Sequence, residues 1–304
     1  MHKTTGHLSK ERESRNLFIT VFLNIIIAVA ELIGGLLSNS LALISDAIHN
    51  LSDGIAMLIT YVTVKVSKRQ NNQRKTFGYK RIQILAALFN ALTLIAICLF
   101  LIFEAYKRFI QPEEIDSIPM LFVAAIGLVA NLAGVFLLKD FKSGNINIKA
   151  AYLHLIGDTL SSVAVIVGGI LIYFYNIYWV DPLVTVLISV YIIRETYHVL
   201  SETYNILMQA VPAGIDLEAV RQEIIAIEGI KDLHHVHVWS LTDHEVHFEG
   251  HLELSADMPI SDAQLITEKA REKLKNIFDI QHITLQLEIN YCKTPSLVVP
   301  QHEC

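Results

Sequence analysis

Cysteine and charge are in short supply in this sequence of 304 residues. Its three cysteines, Cys98, Cys292 and Cys304, give no disulfide framework. Cys98 sits in an apolar run, where a thiol serves as a small packing residue. The other two lie at and beyond the end of the last strand-like segment, in what is read below as a reducing compartment. Charged residues make up only 18% of the chain against 53% hydrophobic, and mean hydropathy is +0.44. Those values exclude an ordinary soluble protein and require several membrane spans plus something else. The first sixteen residues (MHKTTGHLSKERESRN) are polar and lack a short apolar core followed by a cleavage site. No signal peptide is expected, so the first apolar run should remain as a helix.

The charge that is present is divided unevenly. From Met208 onward there are 16 acidic and 7 basic residues, a net of −9, while the whole chain stands at −6. The remaining residues are therefore net positive. The last third also holds 8 of the 13 histidines. It reads as a separate, soluble, acidic piece.

Six apolar segments precede it. The run 17–37 is long enough to cross a hydrocarbon core of ~30 Å, with Asn24 and Glu31 seven residues apart on one face that should look into a bundle. Segment 41–66 is the second span. The polar loop after it carries seven Lys and Arg between Lys65 and Arg81 and no acid, so it belongs on the cytoplasmic side. Spans three to six are expected at 82–109, 120–138, 148–175 and 183–207. The link QPEEIDSIP after span three suits the outside, and the short basic loop KDFKSGNINIK after span four suits the cytosol. An even number of spans then places both termini in the cytosol. Glycines at 34, 35, 127, 134, 157, 168 and 169 are expected where helices pack closely.

Beyond Pro212 the pattern becomes that of a small α+β domain. Apolar residues at helical spacing from Ile215 to Ile227 predict a helix. Alternation on either side of Thr242-Asp243 predicts a β-hairpin. A helix from Ser261 to about Lys275 and a strand over 283–289 complete an αββαβ order. The resulting division is a tail at 1–16, a six-helix transmembrane bundle at 17–207, a cytosolic regulatory and dimerisation domain at 208–290, and a second tail at 291–304.

The chemistry lies in spans two and five. SNSLALISDAIHNLSDG carries Asp46, His49 and Asp53 on one helical face. Each ionisable group near the middle of a span costs about 2.5–3.5 kcal/mol, so three in eight positions need a reason. Span five repeats the arrangement with His154 and Asp158. Two helices each offering an imidazole and a carboxylate supply two nitrogens and two oxygens, a tetrahedral zinc-type set. Four protein ligands leave no place for an activated water, which favours carrying the ion over hydrolysis. Neutral imidazole and carboxylate bind metal while their protonated forms do not, so Zn²⁺ and H⁺ compete for one site, as proton-coupled antiport requires. The bland alternative is that each pair is a buried histidine held by its own carboxylate. Asp46 is either an outer partner of an imidazole N–H or a carboxylate bonded to a neighbouring helix such as one carrying Asn24 or Asn131.

Taken together, SNSLALISDAIHNLSD, TFGYKRIQILAALFN, the HxxxD of span five and the HVWSLT of the soluble domain resemble the cation diffusion facilitators. The likeness runs over about residues 15–290. It implies a six-helix homodimer with a metallochaperone-like cytosolic domain that exports divalent metal from the cytosol, usually against H⁺ as counter-ion. The family's transport positions fall here on His49, Asp53, His154 and Asp158, and the His/Asp pairs are similar to those of zinc and cadmium carriers. It also maps regulatory metal ligands onto His234, His251 and Glu288. The further metal site that some members build in the loop after span two needs His and Asp, which this loop lacks; its basic residues are expected on the acidic domain or on lipid phosphate instead. Gln83 stands where the family commonly has Glu.

Strand alternation puts His235 and His237 on one face of their strand and His234 on the other, and His247 with His251 on one face of the next. His235, His237, His244 and His282 are expected at the surface, and Trp239 as a core or dimer contact. His2, His7, His302 and Cys304 in the tails are expected at most to hand metal on.

The reading that results is a zinc exporter of the cytoplasmic membrane: a multi-pass homodimer in the bilayer, with Zn²⁺ as substrate and possible regulator and no nucleic-acid partner. Metal in the acidic cytosolic domain would draw the two copies together against their like charge. Cd²⁺, Co²⁺ or Fe²⁺ as the main substrate is an alternative, because the affinity order favours several metals at such a site. The other rivals are a membrane metallohydrolase, for which there is no HExxH and no spare general base, and a membrane-anchored metal sensor, which would leave the intramembrane ligands unexplained.

Overall fold

The computed structural model describes residues 22, 24–67, 69, 71–139, 146–242, 245–289 and 296–298. The tail residues His2, His7, Cys292, His302 and Cys304, the loop residue His244 and the turn residue Asp243 lie outside the described residues. The chain divides into two compact units, one within 1–62 and 89–200 and the other within 63–88 and 201–304.

The membrane helices are α1 (Asn24–Ser38), α2 (Leu41–Ser67), α3 (Ile82–Ile110), α4 (Ser117–Leu138), α5 (Ile146–Tyr175) and α6 (Val180–Leu207). Among the described residues, α3 to α6 each contain a stretch long and apolar enough to cross a membrane. α4 starts at Ser117 rather than 120 and α6 at Val180 rather than 183. The reason is the same in both. Pro119 and Pro182 sit inside the first helical turn, where a missing N–H leaves no intrahelical bond unmade. Asp116 caps α4 by accepting from the Ile118 N–H at 3.2 Å.

The start of α2 is fixed from outside the helix. Asn39 takes a left-handed backbone (φ 58°) between α1 and α2. Arg108 of α3 donates to the Asn39 carbonyl at 2.6 Å and to its Oδ1 at 2.8 Å. Asp181, in the first turn of α6, accepts from the Leu41 N–H at 2.8 Å, the Ala42 N–H at 3.3 Å and the Ser40 hydroxyl at 2.5 Å. A carboxylate at the positive end of α2 satisfies donors the helix cannot pair itself. The depth of α2, and with it His49 and Asp53, is thereby tied to α6.

Inside this unit the apolar packing gathers Leu43, Met120, Val165, Ile172 and Ile192 among others. The outward faces stay apolar, as Phe89, Phe122 and Leu160 show, which suits acyl chains and not water. Close approach occurs at the glycines: a Cβ on Gly127 would meet Glu31 Oε1 at 2.2 Å, and one on Gly157 would meet the Tyr191 hydroxyl at 2.7 Å.

The second unit contains the link between α2 and α3 together with α7 (Leu217–Ile225), β1 (Ile230–Thr242), β2 (Glu245–Leu254), α8 (Ile260–Phe278) and β3 (His282–Glu288). This is the expected αββαβ order. β1 and β2 pair antiparallel and β2 and β3 parallel, with α8 as the crossover. Asp216 caps α7 through the Glu218 N–H at 2.9 Å. Val220, Ile224, Leu233, Phe248, Leu252 and Leu274 form one core shared by helices and sheet. Each such burial contributes roughly 1.5–3 kcal/mol.

Candidate functional site

In the membrane unit the two His/Asp pairs converge. His49 and Asp53 come from α2, and His154 and Asp158 from α5. The shortest contact is between helices: His154 Nε2 lies 3.0 Å from Asp53 Oδ2. His49 Nε2 lies 3.6 Å from Asp158 Oδ1, and His154 Nε2 3.7 Å from Asp158 Oδ2. Within α2, His49 Nδ1 is 3.8 Å from Asp53 Oδ2. The imidazole rings stand edge to face, 5.5 Å apart. His49, Asp53 and His154 can each turn one donor atom to a common point. Asp158 is 1% exposed, and both its oxygens lack a hydrogen-bond partner, as does His49 Nδ1. Buried donors and acceptors left open in this way fit a cation.

Asp46, on the same face of α2, turns elsewhere. Its Oδ2 accepts from Ser162 of α5 at 3.5 Å, and Ser162 accepts in turn from Asn131 of α4 at 3.3 Å. The interhelical bond is thus the alternative that the geometry presents for Asp46. Glu31 of α1 is fully buried and accepts from Asn50, the neighbour of His49, at 3.0 Å. Tyr191 of α6 was not marked by any sequence pattern. Its ring stands edge-on to His49 at 6.4 Å, so α6 closes one side of the cluster.

The cytosolic unit brings a second set together. His234 of β1, His251 of β2 and Glu288 of β3 converge, with His234 Nε2–Glu288 Oε2 at 3.3 Å and His251 Nδ1–Glu288 Oε1 at 2.7 Å. The pairing register puts His234 opposite His251 and Glu253 opposite Glu288. The acids Asp232 and Glu253, whose oxygens also converge with a nitrogen of His234, are engaged by Arg221 at 2.9 Å and Lys231 at 2.7 Å.

Alternation fails on β1, and the expectation for His235 is corrected here. A register shift falls between His234 and His237, and His235 takes a left-handed backbone (φ 50°). Its ring stacks on His251 at 4.5 Å, so two consecutive histidines reach the same partner. Burial, with the charges of His251, His237 and His234, holds the His235 imidazole below its ordinary value. His237 is exposed, as expected.

At the other end of the hairpin, His247 is buried between Trp239 and His282, with both rings nearly parallel to its own. His282 itself is exposed. Phe77 of the α2–α3 link packs edge-on against His247 at 5.4 Å, and Lys80 of that link donates to both oxygens of Glu245 at 2.7 and 2.6 Å. A basic residue of the link on an acid of the domain is the contact its charge predicts. Gln83 donates to Ser67 at 3.0 Å.

Comparison with known proteins follows the same division. Residues 17–208 match the cation efflux transmembrane domain, and residues 212–290 match the cation efflux protein cytoplasmic domain. The chain is 37% identical over 279 residues to the cation efflux system protein CzcD of Alcaligenes sp. (strain CT14), covering 92% of this chain and 88% of that one. It is 37% identical over 286 residues to the cadmium, cobalt and zinc/H(+)-K(+) antiporter of Bacillus subtilis (strain 168), covering 93% and 92%. It is 36% identical over 282 residues to the zinc transporter ZitB of Pectobacterium atrosepticum, covering 92% and 87%.

Proposed function

The chain belongs to the cation efflux family, the cation diffusion facilitators, and from that premise we propose that it exports Zn²⁺ from the cytosol in exchange for protons at His49, Asp53, His154 and Asp158. Membership makes it a membrane transporter of divalent metal cations and removes the hydrolase reading. The observation that carries the finer proposal is the interhelical contact of Asp53 with His154, through which two pairs become one donor set. With Zn²⁺ bound, the two carboxylates offset its charge and both imidazoles are neutral. Protons arriving from outside recharge the imidazoles or neutralise the carboxylates, and either event dismantles the ligand set. One site thus serves both ions in turn.

In this proposal the protein is a homodimer of the cytoplasmic membrane with both termini in the cytosol, residues 17–207 in the bilayer and 208–290 outside it. His234, His251 and Glu288 hold a regulatory metal that draws the cytosolic domains of the two copies together. Cadmium and cobalt are secondary substrates, in keeping with the name of the Bacillus relative.

The experiment is metal uptake into inside-out vesicles containing the purified protein under an imposed pH gradient. Gradient-driven zinc uptake by the wild type that disappears in Asp158→Ala is the expected result. Uptake that persists in the variant would overturn the site. If a metal other than zinc moves, the substrate assignment fails and the ligand set stands.

A further inference from the structure

His235 is held in a costly conformation that the sheet itself does not require. A positive φ is uncommon for a residue with a Cβ, and a non-glycine held there costs of order 1–3 kcal/mol. The extra residue of the bulge lies between His234 and His237. Its N–H does not join the ladder to β2. It donates instead to the Ser296 carbonyl at 3.1 Å, and the next N–H, of Val236, donates to Leu297 at 2.8 Å. The bulge swings the His235 ring onto His251, stacked within 11° of parallel, while His234 meets the same ring edge-on at 5.7 Å. His251 Nδ1 lies 2.7 Å from Glu288 Oε1, whereas the buried Nδ1 of His235 makes no hydrogen bond. His234 is fully buried.

His234, His251 and Glu288 offer three donors, and zinc-class ions in closed protein sites take four. We propose that His235 is the fourth ligand of this site, delivered by the β1 bulge, so that the cytosolic metal is enclosed by protein donors alone. The inference rests on the reading that the three-residue set binds metal. It goes beyond that reading in assigning the fourth position to a residue that strand alternation would send to the opposite face. His235 stands beside the set whose donor atoms already converge, so coordination requires its ring to turn out of the stack on His251. Coordination then supplies the energy that offsets the strained backbone. A three-ligand site completed by water would leave both the strain and the orphaned nitrogen without a return.

The test uses the full-length chain in detergent with the transport set disabled by His49→Ala and Asp158→Ala. Co²⁺ serves as the probe, because its visible absorption reports coordination number. One Co²⁺ per protomer with an intense tetrahedral band is expected. In His235→Asn, a residue that tolerates the left-handed backbone, affinity should fall at least about 10-fold and the band should weaken. Metal-free unfolding should be unchanged, which separates a lost ligand from a lost fold. His237→Asn should behave as the parent. Equal affinity and spectrum in His235→Asn would overturn the fourth ligand while leaving the three-residue site intact. A second Co²⁺ lost only with His235 would also overturn it, by making His235 part of a separate site. Binding that survives His251→Asn would instead overturn the underlying three-residue reading.

Discussion

Asp53 lies closer to His154 on the other helix, at 3.0 Å, than to His49 on its own, at 3.8 Å. The four side chains thus form one cluster spanning α2 and α5, not two self-contained pairs. A histidine merely satisfied by its own i+4 carboxylate would show the reverse order. In the proposed transport cycle this relation gives helix movement a way to release the ion. A shift of α5 against α2 separates Asp53 from His154 without changing the conformation of either helix.

Groups that act as a unit are not additive. Loss of a partner behind a ligand already costs 10–100-fold in metal affinity or activity. His154→Ala and Asp53→Ala should therefore each lower gradient-driven zinc uptake by at least about 100-fold. The double variant should be no worse than either single one. Two independent pairs would instead give a product of the two losses, and vesicle flux measured on all three variants separates the cases.

Much of this was legible in the sequence because the relevant period was helical. His49/Asp53 and His154/Asp158 stand four apart in apolar runs, and an α-helix cannot place such residues on opposite faces. The αββαβ order was legible for the same kind of reason. What escaped was whatever depends on an interrupted period or a distant partner. His235 sits in a bulge, and one inserted residue inverts the facing that alternation assigns. Tyr191 is an aromatic in an apolar helix with nothing in its neighbourhood to mark it. Asp181 reads as part of a turn before a proline, and its bonds to Ser40, Leu41 and Ala42 cross more than a hundred residues.

Two glycines of the membrane helices should respond differently to one added methyl group. At Gly127 a Cβ would stand 2.2 Å from Glu31 Oε1, and Glu31 is fully buried with its other oxygen held by Asn50. At Gly168 the nearest atoms are 3.5 Å away, an ordinary contact. Overpacking costs about 1–3 kcal/mol. Gly127→Ala should lower the thermal midpoint of the purified protein in detergent, whereas Gly168→Ala should leave it unchanged. Equal effects would mean that the buried Glu31 carboxylate has room to move.

The histidine sandwich of the cytosolic unit makes a pH prediction. Burial, then the charge of His282 and that of Lys80, holds the His247 imidazole below its ordinary value, with Glu245 opposing. The folded state is thus the weaker proton binder. Between the folded value and about 6.5 the unfolded chain binds more protons, so stability falls as pH falls through that window. Trp239 stacks on His247 at 5.4 Å and reports its charge. In a Trp179→Phe background, tryptophan emission should titrate with a midpoint below 6.5, and His247→Gln should abolish the transition. A midpoint above 6.5 would contradict the burial argument.

The α2–α3 link can be tested through Lys80 and Glu245. Burial alone would raise the Glu245 carboxyl, yet the hydrogen bond and charge of Lys80 bring it below its ordinary value. The ammonium is bonded to both carboxylate oxygens, but the Lys80 side chain is 38% exposed, so solvent screens much of the attraction. Pairs of this kind contribute about 0.2–1 kcal/mol. Glu245→Lys should therefore raise protease cleavage within the link several-fold, and Lys80→Glu alone should do the same. Combining the two reversals restores opposite charges at the same separation and should return cleavage to near the parent rate. High salt should weaken the parent contact in the same direction as the single variants. The orientation of the residues matters here, because Phe77 packs on His247 two residues from Glu245. If the double reversal fails to recover while each single variant is mild, it is the Phe77 contact that holds the link, and Phe77→Ala should then have the larger effect.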